Sequence, residues 1–243
     1  MLKPCRLIFF FSLFFLLVAP PVASGSSTQP FQVTSKEGQL FTVIKKGLSQ
    51  KLNTKGLLLG NQVFIRILKL PGILELWVKD GTTFKLFSTY PICTYSGYPG
   101  PKMQEGDWQS PEGFYQVKLN QLNPTSNYHL AFDIGYPNLY DINNNRDGSH
   151  IMIHGGCSST GCFAMGDKRM EEIYFTVQQA LMSGQHNVQV HIFPFALTEA
   201  NLQRFAHSPW INFWKSIAPA YIFFEKRKQI PTITVVQNNY TLN

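Results

Sequence analysis

From Val63 onward, apolar residues return at every second position. Val63, Ile65 and Ile67 alternate with Phe64, Arg66 and Leu68, and Pro71-Gly72 then marks a turn. Leu74, Leu76 and Val78 alternate with Glu75 and Trp77, Asp80-Gly81 gives a hairpin signal, and Phe84–Ile92 completes the run. A period of two belongs to strands, because successive side chains point to opposite faces. Two tight turns between three such runs predict an antiparallel meander. This stretch commits the chain to a sheet with a buried face. Further strands are expected at Phe114–Leu119, Tyr128–Ile134, Ile151–His154 and Val188–Ile192.

Elsewhere the period is helical. Leu40, Val43, Ile44 and Leu48 form a stripe along 36–52. Asp167 is expected to cap a helix whose apolar face is Met170, Ile173, Tyr174, Val177 and Leu181, ending at Gly184. A second starts at Ser208-Pro209 and carries Trp210, Phe213, Trp214, Ile217 and Tyr221 on one face. Pro219 is expected to kink or split it. No repeat or low-complexity linker divides the chain. The expectation is a strand-rich α+β domain with helices concentrated in the second half.

The first residues read as an address. Lys3 and Arg6 precede the apolar run Leu7–Val18, broken only by Ser12, and Ala19-Pro20-Pro21-Val22-Ala23-Ser24 follows. A basic start, a short apolar core and small residues match a secretory signal cleaved before Gly25. The run is shorter than the roughly 20 apolar residues that span a bilayer. The mature protein is therefore expected in the periplasm or secreted to the cell envelope, without a stable membrane span. Residues 1–24 would be the signal, 25–59 a flexible and helical segment, and 60–243 one catalytic-size domain. Cleavage takes the formal charge from +7 to +5, since Lys3 and Arg6 are lost. The remaining charge is dispersed, with no basic cluster interleaved with aromatics, which argues against a nucleic-acid partner.

Of four cysteines, Cys5 goes with the signal, and Cys93, Cys157 and Cys162 stay. An odd count in an oxidising compartment leaves one thiol free or paired between chains. Two of the three lie in "IMIHGGCSSTGC", residues 151–162. Alternation places His154 at the end of a strand, before Gly155 and Gly156. Cys162 comes eight residues later, after Gly161. A cysteine with a pKa of ~8.5 needs a nearby base or cation to act as a nucleophile. Other readings compete. Cys157 and Cys162 could pair with each other, or either with Cys93. His150, His154, Cys157 and Cys162 could hold zinc, although structural zinc sites favour a cleaner two-by-two spacing. His129, His186, His191 and His207 have no acidic or cysteine neighbours in sequence and read as ordinary surface or half-buried residues.

The stretch resembles the active-site motif of the L,D-transpeptidases, the cysteine enzymes of peptidoglycan with a YkuD-type catalytic domain. His154-Gly155 matches the first part of their signature and Ser159-Thr160-Gly161-Cys162 the second, with Thr160 in place of a second histidine. The pattern His-Gly-x-Cys-x-Ser-x-Gly-Cys-(Phe/Tyr)-Ala-Met of the murein L,D-transpeptidase-like branch continues through Phe163-Ala164-Met165. "YPICTYSGYPGPK" (90–102), "EGDWQSPEGFYQV" (105–117), "NPTSNYHLAFDIGYPNLYD" (123–141) and "WINFWKSIAPAYIFFE" (210–225) also resemble that branch, in order.

The resemblance implies a fold with a β-sandwich or barrel-like core. It implies that Cys162 is the nucleophile and His154 its base, acting through a thioester on peptidoglycan stem peptides. N–H groups at Gly161 and Cys162 would form the oxyanion hole, and the Gly155 carbonyl would orient His154. Glu112 and Tyr115 would contact substrate, as would Ser159 and Thr160. Tyr136, Asn138, Tyr140 and Asp141 would form either a lid or cleft wall or a well-packed loop, and Phe114 would fill the core. Relatives often carry Arg or Asn where Ala164 stands, so Lys102, Arg146, Lys168 or Arg169 would take over the substrate carboxylate. A Cys93–Cys157 disulfide would leave Cys162 free. No cofactor or metal is implied. The acyl acceptor would be an amine, making a 3–3 cross-link or joining a wall-linked envelope protein. A hydrolase using the same residues and an inactive wall-binding module are the alternatives.

Overall fold

A computed structural model describes residues 35–242. The expected signal at 1–24 and the polar stretch Ser26–Thr34 lie outside the described residues. The chain opens with α1 (Ser35–Asn53), followed by the meander β1 (Val63–Leu68), β2 (Ile73–Asp80) and β3 (Thr83–Pro91). Next come β4 (Gly113–Val117), β5 (Leu122–Asn123), β6 (Ala131–Asp133) and α2 (Leu139–Asn143). Then follow β7 (Met152–His154), β8 (Phe163–Ala164), α3 (Asp167–Met182), β9 (Val188–Phe193) and α4 (Glu199–Arg204). The chain closes with α5 (Ile211–Arg227), β10 (Ile233–Val236) and β11 (Asn239–Leu242).

The strands form three open sheets, and none of the described strands closes a barrel. The largest runs β3-β2-β1-β9-β4, the second β5-β6-β7-β8, and the last is the β10-β11 hairpin. The meander pairs antiparallel, β1 then runs parallel to β9, and β4 returns antiparallel at the edge. One face of the large sheet presents Val63, Ile65, Ile67, Val188, Val190 and Ile192 to a core shared with Phe132, Ile153, Phe163 and α3. The other face packs Leu68 and Phe193 against Phe213, Trp214, Ile217 and Tyr221 of α5.

With both faces covered, β1 is buried along its whole length. Alternation alone suggests an exposed Arg66, yet α5 roofs that position. The guanidinium donates to Glu75 at 2.7 Å and to Glu225, and lies 4.9 Å from the Tyr221 ring centroid. A buried cation needs such partners, since leaving one unpaired costs several kcal/mol.

Beside Arg66 on β9 stands His191, fully buried rather than near the surface. Its ring sits 4.8 Å from both Phe64 and Phe114, and neither ring nitrogen has a partner. Burial, aided by the Arg66 charge, holds its pKa down to about 3. The folded state thus refuses a proton that the unfolded chain accepts below about pH 6.5. Stability from this residue is complete above that value and is lost as pH falls toward 3. Between pH 7.5 and 5 the loss is about 2 kcal/mol. Urea titrations at both pH values should show His191→Leu less acid-sensitive than the wild type by that amount. Equal pH dependence in the two proteins would refute the assignment.

Three expectations on element ends change. The strand at 128–134 shortens to β6, because His129 takes a positive φ of 70° and the Tyr128 N–H turns to Ser126 Oγ. Gly166, not Asp167, is the N-cap of α3, and the Asp167 carboxylate accepts from the Gly156 N–H at 2.7 Å instead. Helix α5 starts at Ile211, with Ser208 Oγ accepting from the Trp210 N–H. Pro219 does not split it: Pro219 and Lys215, whose carbonyl loses its helical donor, both lie on the exposed side, where water can replace the bond. Helix α1 covers the 36–52 stripe, and α2 to α5 lie in the second half.

Candidate active site

The small sheet builds the site. Strands β7 and β8 are parallel, with Ile153 opposite Phe163 and His154 opposite Ala164. Parallel neighbours usually need a crossover of a dozen or more residues, whereas here residues 155–162 suffice. The strands are very short, and glycines make the tight return feasible. Gly161 has φ +105°, and a Cβ on Gly155 would stand 2.6 Å from the Tyr128 carbonyl. One step before Ile153–Phe163, the same register sets Met152 beside Cys162. Met152 and His154 share a face of the sheet, and Cys162 stands immediately before β8 with its Sγ on the Met152 N–H.

Cys162 is a free, half-buried thiol. Its Sγ accepts the Met152 N–H at 3.3 Å and donates to the His150 carbonyl at 3.6 Å. Burial raises its pKa; the Met152 N–H opposes this, while the Asp133 charge adds to it and Lys102 opposes it. His154 is buried, and its Nδ1 lies 2.5 Å from the Gly155 carbonyl oxygen. A carbonyl only accepts, so Nδ1 carries the proton and Nε2 has a free lone pair. Burial lowers the His154 pKa, partly offset by that hydrogen bond. Tyr128 lies over the imidazole, ring centroids 4.7 Å apart. Among the described residues no hydrogen bond joins Cys162 to His154.

The disulfide Cys93–Cys157 ties this loop to the segment after β3, with Cα atoms 5.4 Å apart. Thr94 Oγ1 donates to the Cys157 carbonyl, and Thr94 bridges Ala164. With Cys157 bound to Cys93, the four-ligand zinc set is broken. Among the described residues no group of three or more His, Cys, Asp and Glu converges as a metal site.

The expected oxyanion pair divides. The Gly161 N–H is taken by Ser96 Oγ at 2.6 Å, so it is not a free donor, whereas the Cys162 N–H has no partner among the described residues. Ser159 Oγ donates to the Cys162 carbonyl at 2.6 Å and so braces the loop, while Thr160 is exposed. Ser110 Oγ also reaches that carbonyl, at 3.4 Å, and accepts the Ser96 N–H. Ser96, Ser110 and Tyr128 were not singled out from sequence; their links to the motif span tens of residues and carry no local signal.

Five residues expected to contact substrate have partners within the protein. Glu112 is fully buried, pairing with Lys69 Nζ at 3.0 Å and accepting from Gly100 N–H and Trp214 Nε1. Tyr115 is buried and donates to Asp141 Oδ2 at 2.9 Å. Tyr136 donates to the carbonyls of Lys102 and Asp147, and Tyr140 stacks on Tyr240 at 4.1 Å. Arg146 is buried against Asp141 and the Phe213 ring. Asn138 caps α2, and Asp141 shares in that capping box. Lys102 is buried and held by Asp107 at 2.6 Å. Lys168 and Arg169 remain exposed on α3. Two cavities of about 630 and 530 Å³ are lined by neither Cys162 nor His154.

Residues 73–192 match the L,D-transpeptidase catalytic domain of the YkuD family. The chain is 45% identical over 186 residues to "Putative L,D-transpeptidase YafK" of Escherichia coli K12, covering 76% of each chain. The O157:H7 counterpart matches equally. Among solved structures, the helical cell shape determining protein Pgp2 from Campylobacter jejuni aligns with TM-score 0.46 and 20% identity, covering 73% of each chain. Bdellovibrio bacteriovorus Bd1075 aligns with TM-score 0.39 and 21% identity, over 64% of this chain and 59% of that one. On the strength of the domain match and the extended identity to YafK, the chain belongs to the YkuD-type L,D-transpeptidase family.

Proposed function

We propose that this protein is an envelope enzyme transferring an acyl group from a peptidoglycan stem peptide, with Cys162 as nucleophile and His154 as base. The observation that carries this reading is the free thiol, bonded to the Met152 N–H two residues before an imidazole whose proton is held on Nδ1. As Sγ attacks the carbonyl carbon, Nε2 takes the thiol proton. The tetrahedral oxyanion meets the Cys162 N–H. Collapse breaks the C–N bond, the imidazolium returns its proton to the departing amine, and a thioester remains. An acceptor amine then attacks, Nε2 takes its proton, and that proton returns to Sγ as the thioester opens. Water in place of the amine gives hydrolysis.

The inactive-module reading required a Cys157–Cys162 bridge, and Cys157 is joined to Cys93 instead. The sequence expected to be an export signal, residues 1–24, supports an envelope location. No helix among the described residues is long and apolar enough to cross a membrane.

The test is mass spectrometry of peptidoglycan fragments incubated with mature protein, beside Cys162→Ala. Amine-dependent tetrapeptide dimers or D-amino-acid exchange, absent in the control, is the expected result. Shortened stems or released diaminopimelate-linked peptides without exchange would replace transfer with hydrolysis. Identical behaviour of protein and control would overturn the catalytic reading.

A further inference from the structure

We propose that Asp133 sets substrate specificity by holding the primary ammonium of the acyl donor's diamino acid beside the Cys162 nucleophile. This rests on the acyl-transfer reading above. The register supplies the geometry. Asp133 pairs with Met152 across β6–β7, and Met152 sits beside Cys162 across β7–β8, its N–H 3.3 Å from Sγ. Asp133 and Met152 form one row on the face that also carries Ala131, His154 and Ala164, and the Met152 N–H ties Cys162 Sγ to that row. The row between them, Phe132, Ile153 and Phe163, points into the core and is fully buried. Asp133 is thus the acidic side chain of the strand row that presents the nucleophile.

Its bonding leaves one oxygen available. Oδ1 accepts the Gly135 N–H at 2.7 Å. Oδ2 has only a long pairing with His150 Nδ1 at 3.9 Å, and His150 is 80% exposed in its side chain. No other cation compensates. Lys102, the nearby lysine that acts on Cys162, is held by Asp107 Oδ1 at 2.6 Å and the Gln104 carbonyl at 2.8 Å. Burial lowers the pKa of His154. A carboxylate in this place works against the chemistry, since its charge raises the thiol's pKa and desolvation raises its own.

A substrate cation resolves that conflict. An ammonium held on Oδ2 cancels the charge that disfavours the thiolate, so the correct substrate helps to activate its own nucleophile. Stem peptides with diaminopimelate at the third position carry such an amine at the end of the side chain of the residue whose carbonyl is attacked. Ammonium suits the site because its three donors need only one oxygen here and leave the others to solvent.

The test compares Asp133→Asn with wild type on two peptides: a diaminopimelate tetrapeptide, and the same peptide acetylated on the side-chain amine. Asparagine keeps an oxygen for the Gly135 N–H. Wild type should favour the free amine about tenfold in kcat/KM, mainly through KM, and the variant should lose that preference. Without peptide, iodoacetamide should alkylate Cys162 faster in Asp133→Asn, which a purely structural role would not produce. An unchanged preference ratio in the variant overturns the proposal. If neither peptide turns over in wild type, the acyl-transfer reading is what fails. Calorimetric binding of both peptides to Cys162→Ala, with and without Asp133→Asn, then still decides whether Asp133 recognises the ammonium.

Discussion

His154→Gln is expected to lower the acylation rate by about a hundred- to ten-thousand-fold while leaving the melting temperature close to wild type. Glutamine roughly matches imidazole in size but has no basic lone pair for the Sγ proton. The wild-type pH profile supplies the second half of the test. Burial lowers the His154 pKa, so the acid limb of kcat/KM should fall below pH 6.5. Its sign is fixed by the mechanism: as pH drops through that pKa, Nε2 becomes protonated and cannot act as base. Burial of Cys162 raises the thiol pKa, so alkylation of the free enzyme should still climb above neutral pH. A resting thiolate–imidazolium pair would give fast, pH-independent alkylation near pH 7. That result, or a glutamine variant with full activity, would remove His154 from the base role.

Glu112→Ala should destabilise the protein by about 3–5 kcal/mol, because it leaves Lys69 charged and enclosed without its counter-ion. Lys69 is fully buried, and its Nζ also donates to the carbonyls of Gly100 and Ser110 at 2.7 and 2.9 Å. Desolvation already lowers its pKa. The substitution also strips acceptors from the Gly100 N–H and Trp214 Nε1, which lie 2.6 and 2.8 Å from the carboxylate. Denaturant midpoints should therefore fall sharply. The double change Lys69→Met with Glu112→Leu should recover much of the loss, since an apolar pair demands no compensation. A raised KM with an unchanged midpoint would instead restore Glu112 as a substrate contact.

The same two residues show why some of the site was legible and some was not. Strands β1 to β3 announce themselves because their period and turns are local. His154 and Cys162 are equally local, eight residues apart in a glycine-rich segment whose residue types already suggest thiol chemistry. Glu112, Tyr115, Tyr136 and Tyr140 have residue types that suit substrate contact, but type does not say which way a side chain faces. Trp214 and Lys69, distant in sequence, turn Glu112 inward. Ser96, which takes the Gly161 N–H, lies 65 residues away and leaves no pattern near the motif. Asp133 was visible as part of an apolar strand. Its nearness to Cys162 emerges only when the β6–β7 register is read together with the Met152 N–H bond to Sγ.

The disulfide brings a practical conflict for anyone handling the enzyme. Cys93 and Cys157 are exposed, whereas Cys162 is half-buried. A reductant added to protect the working sulfur therefore meets the bridge at the surface, and opening it frees the loop that joins His154 to Cys162. Too little reductant leaves the lone thiol to oxidants, and too much unfastens its frame. Activity plotted against dithiothreitol should pass through a maximum, and the best storage buffer is one that discriminates between two kinds of sulfur five residues apart in the chain.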